Sequence, residues 1–344
     1  MCVRKVEVAI VAIMALAYVA SVKFLSREVS ITVGFILGIY LVFRASEAAV
    51  EGLDKLALKA GLSKHLAGVI SSIASNLTEA LVALFLIMKE SAETVETAVL
   101  SAIISAGLNV LLLGVLIIIL SYKRGAVFVS KSAIRHESDL IRSTVIVCSL
   151  ITVMGLVEDC KGYLPKGIGV FLLLVYLAYL INMFVSQEKK ETKAEYSYKK
   201  ISLLLALGFG GIIAGSKLIS DLGEYAVHTL NLSPALAALI LAVFGTVPEH
   251  GVAMVGAAKG YLEIGLANLL AGVTQCVLIV LGLVALLTPI PLDGYTVFQL
   301  ASVAGALWLV NKAILDDEKL TLEEGVFIVL LQVLILVLFE ELRF

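Results

Sequence analysis

The chain has 344 residues, of which 60% are hydrophobic and only 16% charged, where a soluble domain carries roughly 45–50% apolar and about 25% charged residues. That balance excludes a secreted domain, a cytosolic enzyme and a disordered chain. The formal net charge of -2 leaves no basic footprint for a nucleic acid.

Apolar runs long enough to cross a bilayer, each roughly 20 residues, recur along the whole chain. Hydropathy and loop chemistry together predict eleven spans, near residues 6–24, 31–50, 66–88, 99–120, 144–157, 168–185, 201–218, 234–258, 264–287, 297–314 and 326–339. The spans near 144–157 and 326–339 are short. The first span follows Met1-Cys2-Val3-Arg4-Lys5 with no small-residue cleavage site after it, so it reads as a retained helix and not a signal peptide. The runs are continuous and do not alternate, which argues against membrane strands. The four cysteines, Cys2, Cys148, Cys160 and Cys276, lack metal-like spacing and read as small core hydrophobes.

Lys and Arg set the orientation. With the N-terminus inside, 18 of the 26 basic residues fall in inside loops and 6 in outside loops, Arg44 and Lys217 lying within spans. This bias predicts N-inside, C-outside and an odd number of spans. The expected location is a cell membrane with a cytoplasmic N-terminus.

The chain is internally duplicated. Gly61-Leu62-Ser63 resembles Asn231-Leu232-Ser233, and each leads without gaps to a glutamate, Glu79 or Glu249, at the same offset of 170. Lys89 matches Lys259; three extra residues in the first copy then bring Glu96 opposite Glu263 and Ser101 opposite Asn268. Asp159-Cys160-Lys161 weakly resembles Asp317-Glu318-Lys319. The predicted organisation is an extra helix in 1–30, a first repeat in 31–185 with its motif at 61–114, a hydrophilic cytoplasmic linker at 186–200, and a second repeat in 201–344 with its motif at 231–282. Each repeat holds five spans, so the two have opposite topology. The fold expected is an all-α polytopic membrane protein, two inverted five-helix repeats plus one N-terminal helix. Inverted repeats with polar residues at mid-membrane are a signature of secondary transporters.

Polar residues interrupt four spans. In the third, Ser72, Asn76 and Glu79 share one helix face, and Ser75 lies one turn before Glu79. A carboxylate at the membrane centre costs at least about 2.5–3.5 kcal/mol, so it must face a cavity, a partner or an ion; the blander reading is helix–helix glue. In the fourth, Ser101, Ser105 and Asn109 form a stripe that serves either close packing or ion lining. In the eighth, Gly245-Thr246-Val247-Pro248-Glu249-His250 places a proline mid-span, where it should kink or unwind the helix and free carbonyls near 244–246 as ligands. His250 reads equally as a proton carrier or as a hydrogen-bonded structural residue. In the ninth, Asn268 and Gln275 share a face. The glutamates, hydroxyls and amides make an all-oxygen set suited to hard cations such as calcium, sodium or magnesium. There is no Walker loop, so ATP is not the expected energy source.

These residues carry a resemblance to the calcium/cation antiporter superfamily, which includes proton/calcium and sodium/calcium exchangers. Gly245-Thr246-x-Pro248-Glu249 resembles the motif of sodium-coupled members; the Glu249-His250 pair, Gln275 and the extra N-terminal span resemble proton-coupled ones. Ser75-Asn76-Leu77-Thr78-Glu79 is a degenerate first-repeat motif, Ser105 and Asn109 match the family's Ser-x-x-x-Asn, and Asn268 matches its Gly-Asn asparagine. The resemblance spans about residues 31–340 and implies a ten-helix core in which Glu79 and Glu249 bind the transported cation. Ala271-Gly272 stands where the family has Gly-Ser and Ser101 where the second repeat has Asn268, which thins the set of sodium ligands.

The expected function is antiport of Ca2+, or a similar divalent cation, for protons. Two facing carboxylates in a dry cavity cannot both stay ionised and empty; one divalent cation or protons relieve them. The expected cation ligands are Glu79, Glu249, Asn76, Ser75, Thr246, Ser105, Asn109, Asn268 and Gln275, with Glu79, Glu249 and His250 coupling protons. Sodium/calcium exchange is the alternative, and a cation channel or an intramembrane enzyme the remote ones. No cofactor is expected, only transported ions; the partners are the lipid bilayer and those ions, and a homo-oligomer is compatible with the chain. Glu47 and Lys217 share the offset of 170; Arg44 is expected to pair with Glu47 or Glu51 and Lys217 with Asp221, as interfacial charges or as a gate.

Overall fold

The computed structural model describes residues 5–62, 64–122, 125–129, 131–186, 197–258, 262–339 and 341. Every one of the sequence-predicted spans is helical. The helices are α1 (Lys5–Phe24), α2 (Arg27–Lys59), α3 (Lys64–Ile87), α4 (Ala92–Ser121), α5 (Lys131–Val157), α6 (Lys166–Ser186), α7 (Tyr198–His228), α8 (Pro234–Ala258), α9 (Leu262–Gln275), α10 (Leu281–Leu287), α11 (Gly294–Asp317) and α12 (Leu322–Val337). A π-helical turn, Cys276–Val280, joins α9 to α10. In a bilayer each backbone polar group must be satisfied within its own segment, which leaves such apolar runs no choice but helix.

Among the described residues, seven helices are long and apolar enough to cross a membrane: Arg27–Lys59, Ala92–Ser121, Glu137–Val157, Lys166–Val185, Tyr198–His228, Gly265–Leu287 and Gly294–Asp316. The other predicted spans carry shorter apolar stretches, at Ile10–Phe24, Ser72–Ile87 and Pro234–Val247, or, in α12, a helix of 16 residues.

Helix ends follow local chemistry. Ser91 caps α4 by accepting from Thr94 N at 3.1 Å, Asp293 caps α11 through Thr296 N at 2.8 Å, and Thr321 with Glu324 forms a capping box on α12. Pro234 opens α8, where its missing N–H is not needed. Two repeat-matched pairs show the same backbone choice after a helix: Gly61 (φ 78°) and Asn231 (φ 53°), then Cys160 (φ 56°) and Glu318 (φ 53°), all left-handed.

Two expectations need correction. The fifth span is not short: α5 runs 27 residues, because its polar start at 131–143 continues the helix beyond the apolar pattern. Pro248 does not unwind its helix either, since α8 is continuous from Pro234 to Ala258. A proline is tolerated in a membrane helix where neighbouring helices hold the turn around it. The irregular turn falls instead in the ninth span, at Cys276–Val280.

The packing is symmetric between the halves. Exchanging α2–α6 with α7–α12 returns the same contacts: α2 with α7, α5 with α11, α3 with α9 and α4 with α8, α4 with α12 and α6 with α10. Helix α1 packs on α2, outside this pattern. Residues 97–110 of α4 are buried without a break, so this helix is the axis of the core.

Short strands tie the helix ends. β1 (Ala126–Phe128) pairs antiparallel with β4 (Lys319–Thr321) in the register Ala126↔Thr321, Val127↔Leu320, Phe128↔Lys319. β2 (Tyr163–Leu164) pairs with β3 (Ile290–Pro291). β1 precedes α5 and β2 follows it, so the two ribbons sit at opposite ends of that helix. Each joins a loop of one half to a loop of the other, and exchanging the halves turns one ribbon into the other.

Candidate cation site

Glu79 is buried, on the central face of α3. Both its carboxylate oxygens are held by groups from the second half. Thr246 Oγ1 on α8 donates to Oε1 at 2.5 Å, and Cys276 Sγ in the π turn donates to Oε2 at 2.7 Å. Thr246 Oγ1 also lies 3.3 Å from Ser105 Oγ on α4. The unbroken α8 therefore contributes a side-chain hydroxyl here, where the sequence led us to expect freed carbonyls.

One turn before Glu79, Asn76 Nδ2 donates to Gln275 Oε1 at 2.6 Å and to Ser72 O at 3.2 Å. Gln275 Nε2 donates to Ser72 Oγ at 2.6 Å and to Tyr176 OH of α6 at 2.9 Å. Ser72, Asn76 and Glu79 thus use the single face predicted for them, and that face meets α9 and its π turn. All three are buried, as are Gln275 and Tyr176.

On the other side of the site, His250 Nδ1 and Asn268 Oδ1 are 3.0 Å apart. With Nδ1–H as donor, Nε2 presents a lone pair. That atom is buried and has no hydrogen-bond partner, and the same holds for Asn109 Oδ1 and Thr78 Oγ1. Asn109 Nδ2 donates to Ser105 O at 3.1 Å and contacts Cys276 Sγ at 3.2 Å.

The structure therefore gathers Asn76, Glu79, Ser105, Asn109, Thr246, His250, Asn268 and Gln275 around one centre. The side chains of Ser75, Pro248 and Glu249 lie outside the described ones; the backbone of α8 places Glu249 three residues after Thr246. Ser101 is buried on α4. Two neighbours of the site were not foreseen. Cys276 was expected to be an apolar filler, yet it touches Glu79; the signal was present, since the offset of 167 that aligns Ser101 with Asn268 also aligns Asn109 with Cys276. Cys148, by contrast, is buried within the apolar core. Tyr176 had no signal, being one aromatic in an apolar span.

The donor set is oxygen-rich: a carboxylate, two hydroxyls and four amides, with one thiol and one imidazole. Among the described residues no three His, Cys, Asp or Glu side chains stand together as a metal cluster, so a cation here would rest largely on neutral oxygens. Charges lie further out. Lys89, after α3, bonds Asp221 at 3.1 Å and Glu224 at 2.5 Å near the end of α7. Burial works against its charge, but hydrogen bonds to Glu224 and Asp221 outweigh burial and hold its pKa above the ordinary lysine value. Lys217 also bonds Asp221, and Arg44 bonds Glu47 at 2.6 Å, as the sequence spacing suggested.

The family model described as sodium/calcium exchanger protein matches residues 30–185 and again 200–340. The inner membrane protein YrbG of Escherichia coli (strain K12) is 25% identical over 295 residues, covering 79% of this chain and 86% of that protein. The fold is similar to the crystal structure of the H+/Ca2+ exchanger CAX, with a TM-score of 0.72 and 15% identity over 97% of this chain and 88% of that one. It is also similar to the sodium-calcium exchanger NCX_Mj, with a TM-score of 0.62 and 20% identity over 90% and 98% of the two chains. With both halves matched, the chain belongs to the sodium/calcium exchanger protein family, integral membrane proteins of the calcium/cation antiporter superfamily.

Proposed function

We propose that this protein is a secondary active antiporter that exchanges Ca2+, or a similar divalent cation, for protons by alternating access. Glu79 and Glu249 form the shared site, and Asn76, Ser75, Thr246, Ser105, Asn109, Asn268 and Gln275 supply its neutral ligands. The observation that carries this reading is the position of Glu79: buried between the halves, with both oxygens bonded to side chains of the second half. A buried carboxylate so placed must be neutralised before its surroundings can move, and a cation or a proton does this equally. Thr246 and Cys276 hold the Glu79 oxygens by hydrogen bonds that a cation would replace. Rocking of one half against the other then exposes the site to each side in turn, and an ion gradient supplies the energy with no cofactor or ATP.

Three features favour protons as the counter-ion. His250 is buried beside Asn268 with Nε2 facing the site. Ala271-Gly272 stands where the family has Gly-Ser, and Cys276 is a poor oxygen donor, so ligands for sodium are few. The similarity to CAX, named for H+/Ca2+ exchange, extends over 97% of this chain and so includes α1. Sodium coupling is the second reading, favoured by Gly245-Thr246-x-Pro248-Glu249, by Asn268 and by the similarity to NCX_Mj.

Eleven spans with the N-terminus inside and the C-terminus outside complete the proposal. The ribbon pairing of 126–128 with 319–321 joins two loops that the charge count puts inside, and that of 163–164 with 290–291 joins two it puts outside. Lys59 over the Tyr198 ring, at 3.5 Å, and Lys89 on Asp221 and Glu224 obey the same division.

Vesicles reconstituted without sodium test the function. Radiolabelled calcium uptake driven by an imposed pH gradient, and abolished in Glu79→Gln and in Glu249→Gln, is the expected result. Full uptake in either variant refutes the paired site. Uptake that needs a sodium gradient at fixed pH, indifferent to a protonophore, moves the assignment to sodium coupling.

A further inference from the structure

The halves of the site are not chemically equal. The repeat offset that pairs Asn109 with Cys276 also pairs Ser105 with Gly272. So the first half supplies a carboxamide and a hydroxyl where the second supplies a thiol and no side chain. The two mates touch, Asn109 Nδ2 lying 3.2 Å from Cys276 Sγ. The same sulfur is 2.7 Å from Glu79 Oε2 and 3.5 Å from Asn76 Oδ1. It opens the π-helical turn, an irregularity often found at functional positions in membrane and soluble helices.

A second observation points to a ligand beside it. A Cβ at Gly272, one turn before Cys276, would lie 2.8 Å from His250 Cε1, 3.0 Å from Asn109 Oδ1 and 3.1 Å from His250 Nε2, so the bare glycine lets both side chains close on one point. Asn109 Oδ1 and His250 Nε2 are buried and have no hydrogen-bond partner. An amide oxygen and an imidazole nitrogen, each with a lone pair to offer, thus converge against the Gly272 backbone beside Cys276. Buried acceptors left open in this way are costly and point to a partner such as an ion.

We propose that, besides a hard cation, the central site takes a thiophilic divalent cation of the cadmium or zinc class, held through its one sulfur. Cys276 Sγ and Glu79 are its anionic ligands, Asn76 and Asn109 its amide ligands, and His250 flanks it. Thiolate and imidazole suit softer cations, whereas Ca2+ gains little from sulfur. On binding, the Cys276 S–H bond breaks as the sulfur–metal bond forms, and the proton leaves to the medium; no electron is transferred. The inference rests on the reading of Glu79 as the transport site and names a second cation class for that site.

The test uses the full chain carrying Cys2→Ser, Cys148→Ala and Cys160→Ser, so that Cys276 is the one thiol left. Titration with cadmium chloride in detergent is followed by the ultraviolet charge-transfer band of a cadmium–thiolate bond. The band is expected in this protein, absent in Cys276→Ser, and to need about tenfold or more cadmium in Glu79→Gln. Cadmium should also protect Cys276 from maleimide, read on its peptide by mass spectrometry, a measurement that needs no substitution at the site. In vesicles, Cys276→Asn, which copies the first half, should lower the ratio of cadmium to calcium flux by about tenfold or more. A protein that exchanges calcium but shows neither band nor protection overturns the thiol site and leaves exchange standing. A band that survives Cys276→Ser overturns it too. A band and protection without flux of any cation refute the exchanger reading and leave the site.

Discussion

Gln275 uses both ends of one amide to join three helices, accepting from Asn76 and donating to Ser72 and Tyr176. Inside a low-dielectric bundle, each buried polar group left unpaired costs about 1–3 kcal/mol. Gln275→Leu should therefore lower the thermal midpoint of the detergent-solubilised protein, by an amount equivalent to about 2 kcal/mol or more, as Asn76, Ser72 and Tyr176 each lose a hydrogen bond together. Thr246 separates a positioning role from a structural one. Thr246→Val keeps the shape but removes the donor to Glu79, and should cut calcium exchange by about tenfold or more, while Thr246→Ser retains it. Equal losses in both variants would mean that the methyl group matters and the hydroxyl does not.

Between elements, the longest contact is that of α2 with α7, and it depends on absent side chains. Cβ atoms at Gly208 and Gly215 would sit 2.6 Å from Ala49 N and 2.8 Å from Gly38 O. Small residues let two membrane helices approach until their backbones touch, where dispersion and not the hydrophobic effect holds them. Gly215→Val should push the pair apart and destabilise the protein by about 1–3 kcal/mol. Gly210 has nothing within 4 Å of its Cβ position, so Gly210→Ala should be neutral or slightly stabilising. Thermal unfolding of the two variants side by side checks the packing; similar midpoints would contradict it. Helices of 33 and 31 residues also exceed the roughly 20 that a bilayer core requires. Their polar ends project beyond it and carry the Lys59–Tyr198 and Lys89–Asp221–Glu224 contacts.

For the whole molecule, charge decides which end of each helix faces which side. With the proposed orientation, a cysteine at Lys161, in a chain carrying Cys160→Ser, should react with an impermeant maleimide added to intact cells. A cysteine at Lys199 should react only after the membrane is opened. The reverse pattern would invert the topology while leaving the ribbon pairings as they are. In the proposed orientation the Lys89 cluster lies on the outer side too. Because Asp221 and Glu224 raise the Lys89 pKa, its charge and the contact persist at and below the ordinary value of 10.5 and are lost only as pH climbs through the raised one. At pH about 9, amine acylation read by mass spectrometry should be slower at Lys89 than at exposed Lys161; equal rates would show the contact open in solution.

What the sequence determined by itself is what local pattern can carry. Apolar run length dictated helices in a bilayer, the recurrence of Glu79 and Glu249 marked paired motifs, and i, i+4, i+7 spacing put Ser72, Asn76 and Glu79 on one face. Pattern also reached the matched helix ends, since Gly61 and Asn231 are residue types that tolerate left-handed backbone. It misled at Pro248, because neighbours can hold a proline turn helical, and at the start of α5, because a helix once formed does not stop where its apolar face does. Only the tertiary structure decided who meets whom. Asn76 and Gln275 are 199 residues apart, and Glu79 and Cys276 are 197 apart. No periodicity encodes such a pairing; it follows from two halves folding against each other. That is also why a cysteine that looks like filler along the chain stands, in space, against the buried carboxylate.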